Sequence, residues 1–148
     1  MKYKKDFNLN EYHHQINETV KFHEVDLMGV LNNAVYFNYF EDARISYVKQ
    51  LVDKFNLKKF MNKSSYIIMA HNDCDYFEPA VFEDELIIHS KIVEINNSSF
   101  KLSHIVQNEH SGEIIAAGSG VVVHFDTETK KPIPLPKEFS DAVNLFEN

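Results

Sequence analysis

The sequence predicts an α+β fold, a mainly antiparallel sheet of about five strands covering one long helix. Three observations carry that expectation. The stretch from Ala34 to about Phe55 is the only long one with a helical apolar period, and it holds no Gly or Pro. The rest of the chain is strand-rich, with candidate strands at 64–77, 85–95, 99–108 and 113–125. The helix stands early among these strands, where a sheet can wrap it. A βαβ sandwich with many helices is excluded by the strand-rich second half.

Taken in order, residues 1–16 are polar and weakly patterned, a flexible lead-in or a short helix. Residues 17–25 read as the first strand, because Val20 and Phe22 alternate with Lys21 and His23, the period of a half-buried strand. A tight turn follows over Asp26–Asn33. Gly29 tolerates backbone angles closed to other residues, and Asn32 or Asn33 can cap the helix with a side-chain oxygen. In the helix, Tyr36, Tyr39, Phe40, Ala43, Tyr47, Val48, Leu51 and Phe55 recur at steps of three and four, an apolar stripe. Phe37 and Ile45 widen it, so the helix should be covered on more than one side. Arg44 is the only arginine. An ion pair with Glu41 at i, i+3 is its ordinary reading; placement of Glu41 near a substrate is the sharper one.

Residues 56–63 form a basic loop. In the strand at 64–77, Tyr66, Ile68, Ala70, Asn72, Cys74 and Tyr76 share one face and Ile67, Met69, His71, Asp73 and Asp75 the other. Its second half is polar on both faces, which predicts a bulge or a sheet edge. Glu78-Pro79-Ala80 ends it. The strands at 85–95 and 99–108 read as a hairpin closed by Asn96-Asn97, since Asn accepts left-handed angles. Phe100, Leu102, His104 and Val106 face one way, and His104 there reads as a hydrogen-bonded core residue. Gly118 and Gly120 share one face of the last strand, where they bend the sheet or let the helix come close. Residues 126–137 are a polar, Pro-rich exit, and a short helix can follow over 138–147.

Composition narrows the class. A chain of 148 residues is of ordinary size for one core, so a single domain over 1–148 is expected. Hydrophobic residues at 44% and aromatics at 13% support a packed core and argue against disorder. Lys and Arg number 15 against 22 Asp and Glu, for a net charge of -7, which argues against nucleic acid as the main partner. Lys54, Lys58, Lys59 and Lys63 make one basic cluster at the helix end, where the dipole favours cations; contact with the phosphates of a ligand is the alternative. Cys74 is the only cysteine, so no internal disulfide forms, in keeping with a reducing compartment. No signal-like stretch opens the chain and no apolar run is long enough to span a membrane. A cytoplasmic protein is expected.

The Asp26 turn is the chemical candidate. An acid just before a helix N-terminus meets converging backbone donors and a dipole that favours negative charge. That arrangement suits acyl chemistry. It also suits an ordinary turn or cap residue, and the local residues leave both readings open.

The stretch V-K-F-x-E-x-D-x-x-G-x-x-N-N-x-x-Y-x-x-Y-F-E-x-A-R from Val20 to Arg44 resembles the signature of the hotdog-fold acyl-CoA thioesterases, the 4-hydroxybenzoyl-CoA thioesterase group. The resemblance continues, more weakly, to about residue 127. That family reads D-x-D-x-x-G-H-V-N-N-x-x-Y here, and its second acid is the catalytic one. The match falls on Asp26, and the family's glycine falls on Gly29. Two positions depart: the first acid is Glu24, and Val30 stands where a histidine is frequent, which removes one polar contact. The resemblance implies a hotdog fold and hydrolysis of an acyl-CoA or acyl-carrier thioester. Asp26 would be nucleophile or general base, and the Asn33 backbone N–H would hold the oxyanion. Tyr36 and Ser99 would line the substrate wall. It further implies a homodimer or homotetramer whose sites use both subunits.

Other chemistries find little in the sequence. The eight histidines are scattered, His13 and His14 are adjacent in a way that does not chelate, and no metal or other cofactor is expected. No G-x-S-x-G elbow is present. Cys74 lies between Asp73 and Asp75, acids that raise a thiol pKa, and reads as structural. Two further classes stay open: a hotdog hydratase or dehydratase, which needs a His with an acid, and a non-catalytic acyl-CoA or acyl-carrier binder.

Overall fold

The computed structural model describes residues 6–58, 60 and 64–148. Lys59, Lys63 and residues 1–5 of the lead-in lie outside that set. After a short 3-10 turn at Leu9–Glu11 come β1 (His14–Thr19), a second 3-10 turn (Phe22–Glu24), α1 (Val35–Phe55), β2 (Ser65–Tyr76), β3 (Glu85–Ile95), β4 (Ser99–Asn108), β5 (Ile114–Asp126) and α2 (Lys137–Glu147). One five-stranded sheet runs β1-β3-β4-β5-β2, and every pairing is antiparallel.

The expected first strand at 17–25 is a correction. The strand is His14–Thr19, and the Val20–Phe22 alternation does not continue it. Glu24 turns the chain: its Oε1 accepts from the Lys21 N–H at 2.9 Å while its own N–H donates to the Lys21 carbonyl at 2.9 Å, closing a 3-10 turn. Phe22 is consequently exposed while Val20 is buried.

α1 matches its periodicity. Tyr36, Tyr39, Phe40, Ala43, Arg44, Tyr47, Val48 and Leu51 are buried. At its start Asn32 Oδ1 accepts from the Ala34 N–H at 3.0 Å, satisfying a donor that the helix leaves open. Asn56 ends it in the left-handed conformation, its N–H donating to the Val52 carbonyl.

The α1 face toward the sheet divides into two packed clusters. Near the helix start, Tyr36, Tyr39, Phe40 and Ala43 meet Val20, Leu86, Ile88, Val106, Ile115 and Ala116. Toward its end, Tyr47, Val48 and Leu51 meet Phe100, Leu102, Val122 and, from α2, Phe139 and Val143.

β2 is both a sheet edge and bulged, with a register shift between Met69 and His71. The bulge corrects the predicted faces. One inserted residue moves the alternation by one, so Ile67 and, beyond the bulge, Cys74 and Tyr76 all pack against the core clusters. The hairpin of β3 and β4 stands as read. Gly118 lets the helix approach: a Cβ there would lie 2.5 Å from Phe40 Cε2.

Candidate active site

The segment between β1 and α1 builds a small loop of its own. Val25 bridges to Leu31, and the Asp26 N–H donates to the Val30 carbonyl at 2.9 Å. Within that loop the Gly29 N–H donates to the Asp26 carbonyl at 3.0 Å. Gly29 has φ +78 and nothing within 4 Å of an added Cβ, so its backbone angle, not space, selects glycine.

Asp26 is exposed and its carboxylate is divided in use. Oδ1 accepts from the Met28 N–H at 2.8 Å and, at 3.5 Å, from the Val30 N–H. Oδ2 receives no hydrogen bond among the described residues. The turn role is therefore real, and one carboxylate oxygen still faces outward.

Glu24 stands apart from that chemistry. Besides capping its own turn, its Oε1 accepts from the Tyr39 hydroxyl at 2.7 Å. Burial first, and then Glu24, pushes the Tyr39 hydroxyl pKa far up, so Tyr39 stays a donor. Signature positions that look equally acidic thus hold different jobs. The sequence alone put Glu24 at the end of a strand and Asp26 in the turn after it, and neither position disclosed the Tyr39 contact.

Beside the loop lies a cavity of about 200 Å³ lined by Val30, Leu31, Asn33, Tyr36, Tyr76, Phe77, Glu78 and Pro79. Asn33 and Tyr36 are thus brought to one site next to the Gly29 turn. The Asn33 carbonyl accepts from the Tyr76 hydroxyl at 2.8 Å, while its N–H meets no acceptor among the described residues. Tyr36 is buried and packs edge-on to Tyr76 at 5.1 Å between centroids. Burial drives its hydroxyl pKa well up, so it serves as a neutral wall. Tyr76 is the site residue the sequence reading missed; the bulge that turns it inward leaves no single-residue signal.

Ser99 is not brought here within one chain. It opens β4 opposite Val123, beside Phe100 of the other core cluster. The approach to Asp26 is instead ringed by exposed apolar residues. Leu27, Met28 and Phe22 are exposed, with Val81 and Phe82 about half so.

Other polar clusters do not assemble into chemistry. His71 Nε2 lies 3.0 Å from Asp73 Oδ2, and the Ser119 hydroxyl donates to that same oxygen at 2.5 Å. Asp73 lies between the two, so the imidazole does not reach the serine and the nucleophile–histidine contact of a triad is not formed. His104 is fully buried, bonded through Nδ1 to Ser90 Oγ at 2.7 Å and stacked on Phe40, as read from its strand face. Arg44 lies 3.9 Å from Glu41. No described group of three or more His, Cys, Asp or Glu side chains is placed to hold a metal. No helix among the described residues is long and apolar enough to cross a membrane.

Comparison with known proteins places this geometry in context. The family model of the thioesterase-like superfamily matches residues 20–143. An uncharacterized protein of Bacillus subtilis, YsmA, is 34% identical over 125 residues, spanning 84% of this chain and 81% of its own length. The long-chain acyl-CoA thioesterase FadM of Escherichia coli is 27% identical over 124 residues, with 84% and 92% covered. Among solved structures, a Thermus thermophilus thioesterase complexed with coenzyme A and zinc superposes with a TM-score of 0.76 at 29% identity, over 93% of this chain and 96% of that one.

Proposed function

The chain belongs to the thioesterase-like superfamily, a family of hotdog-fold thioester hydrolases, and from that premise we propose that it cleaves acyl-CoA or acyl-carrier thioesters at the Asp26 turn. Two observations support this reading: one Asp26 carboxylate oxygen receives no hydrogen bond among the described residues, and beyond the Gly29 turn the Asn33 N–H likewise meets no acceptor among them.

In this reading the thioester carbonyl lies between Asp26 and Asn33, its acyl group against Tyr36. Two routes fit. Asp26 takes a proton from water while the water oxygen bonds to the carbonyl carbon, or Asp26 Oδ2 bonds to that carbon and water later opens the anhydride. In both, the Asn33 N–H stabilises the oxyanion, the carbon–sulfur bond breaks, and the thiolate leaves and takes up a proton. No metal or redox group takes part in either route.

The assembly that fits is a homodimer or homotetramer. The apolar ring at Phe22, Leu27, Met28, Val81 and Phe82 and the open edge of β2 both call for cover. Ser99 enters the site only as a residue of a second copy. With a reducing compartment inferred from the single cysteine, the reading is of a cytoplasmic enzyme.

A panel of acyl-CoA substrates with free-thiol detection tests it. Thiol release that tracks acid formation is the expected result. Change in the acyl chain without thiol release would instead identify a hydratase, and binding without either would identify a non-catalytic binder.

A further inference from the structure

A second cavity lies farther along α1. It measures about 260 Å³ and is lined by Glu41, Arg44, Ile45, Ile67, Met69 and Val122. Four of these residues are apolar. The exception inside is Arg44, only 5% exposed, and a guanidinium carries five donors and no acceptor.

Its donors are poorly answered. Nη1 is buried and has no partner among the described residues. Nη2 stands 3.9 Å from Glu41 Oε2, a carboxylate whose side chain is 69% exposed. That distance is beyond hydrogen-bond reach, and solvent screens the attraction. A buried charge without acceptors is costly, so an anionic oxygen entering the cavity would gain more here than at the surface. Guanidinium and carboxylate fit each other two-pronged. Glu41 repels such a group, but its exposure lets it swing into water.

The placement relates this cavity to the site. Both cavities are walled by α1 on one side and β2 on the other: Tyr36 and Tyr76 in the first, Arg44, Ile67 and Met69 in the second. Tyr36 and Arg44 are eight residues apart on one helix, about 12 Å at 1.5 Å per residue. Phe37 and Cys74, partly buried against the same cluster, lie on the intervening stretches of α1 and β2. An extended acyl group leaving the Asn33 end would pass apolar walls and finish at a cation.

We propose that Arg44 recognises the far end of the acyl group, and that the preferred thioesters carry a carboxylate there. The proposal rests on the thioesterase reading of the Asp26 turn, so its test separates the two. Turnover of decanedioyl mono-CoA is compared with that of decanoyl-CoA in the unaltered protein. Binding of both is measured by calorimetry in Asp26→Asn, where turnover does not interfere.

The expected result is a preference of about tenfold or more for the carboxyl-ended thioester in kcat/KM and in affinity, the scale of one charge-assisted hydrogen bond. Arg44→Gln in the Asp26→Asn background should abolish the preference in affinity, and Arg44→Lys should retain part of it. Equal turnover and equal affinity would overturn the Arg44 proposal while leaving thioester hydrolysis standing. A preference in affinity with neither thioester cleaved would keep Arg44 as the recognition group and sink the hydrolytic reading. Should Arg44→Gln not fold, a preference unchanged by Arg44→Lys at raised salt would count against a charge contact.

Discussion

The Tyr39 hydroxyl donates to the Glu24 carboxylate at 2.7 Å, which pins the segment carrying Asp26 to α1 by a residue two positions before it. Two acids in one short motif are thereby sorted. Glu24 is consumed in holding Tyr39 and the Lys21 N–H. Asp26 spends one oxygen on its own turn and keeps the other outward.

That division predicts unequal mutants. Asp26→Asn keeps a carbonyl oxygen to accept from Met28, so the turn persists, but charge and basicity are lost. kcat on a thioester substrate should fall at least about a hundredfold, the lower scale of acid–base catalysis, with unchanged melting and oligomeric state. Glu24→Gln keeps an acceptor for Tyr39 and should cost far less activity. Near-normal kcat in Asp26→Asn, or a loss explained by unfolding alone, would return Asp26 to the status of a turn residue.

Gly118 gives a prediction about the fold. An added Cβ would press on the Asp73 carbonyl oxygen and stand 2.5 Å from the Phe40 ring. The backbone cannot yield as a flexible side chain can, so Gly118→Ala should destabilise by about 1–3 kcal/mol or more. Gly120→Ala meets one tight neighbour, the far end of the flexible Met69 side chain at 3.1 Å, with Asn72 Oδ1 and the His71 carbonyl at ordinary contact distance, and should be milder. Chemical denaturation of the two variants side by side checks the order, and equal midpoints would refute it.

The contrast between these residues shows what the sequence could disclose. α1 and the β3–β4 hairpin were legible because their periods are long and uninterrupted. The Gly118 approach was legible as one of two choices, since a glycine in a strand means a bend or a close neighbour. The first strand was misplaced because Val20-Lys21-Phe22-His23 alternates by chance, and the hydrogen bonds that Glu24 makes to the Lys21 backbone turn the chain there instead. Tyr76 and Ile67 were split between faces because polarity on both faces of the second half signals a bulge or an edge without marking the residue, between Met69 and His71, at which the register shifts. At the site, Asp26, Gly29, Asn33 and Tyr36 stand on one contiguous stretch, which a motif can record. The Arg44 cavity draws on α1, β2 and β5, and only folding brings them together.

Buried histidines predict acid sensitivity. Burial lowers His14 to about 4; burial first, then the charges of Arg44 and His14, lowers His104 to about 3. Below the unfolded value of 6.5 the unfolded chain binds protons that the folded chain refuses, so stability present above 6.5 is lost as pH falls toward those values. Glu18 opposes this. Burial and then Asp42 raise it from 4.5 to about 7, so its contribution is full below 4.5 and is lost as pH rises through 7. Between 4.5 and 6.5 two histidine protons less one Glu18 proton leave one extra proton on the unfolded chain. Each such proton is worth about 1.4 kcal/mol per pH unit. Urea midpoints should therefore fall steadily on acidification over that window, and more steeply in Glu18→Gln. A flat profile would contradict the burial of both imidazoles.

The last prediction concerns assembly. β2 is a sheet edge of twelve residues, and an edge that long with open backbone groups invites pairing with another strand. Two further surfaces point the same way. Ile68 and Met69 on β2 are each 37% exposed, and the apolar ring beside Asp26 centres on Leu27 and Met28, more exposed still. Exposed apolar groups of this kind mark interaction surfaces when they are contiguous. We expect a second copy to cover them, since in a two-fold pair an edge and an apolar loop can each meet the symmetric mate. Light scattering at micromolar concentration should give at least twice the 17.3 kDa chain mass. Replacing Leu27 and Met28 by Gln should shift the population toward the monomer and lower kcat without unfolding the chain. A 17.3 kDa species alone, with full activity, would show instead that each chain completes its own site and that β2 stays an open edge.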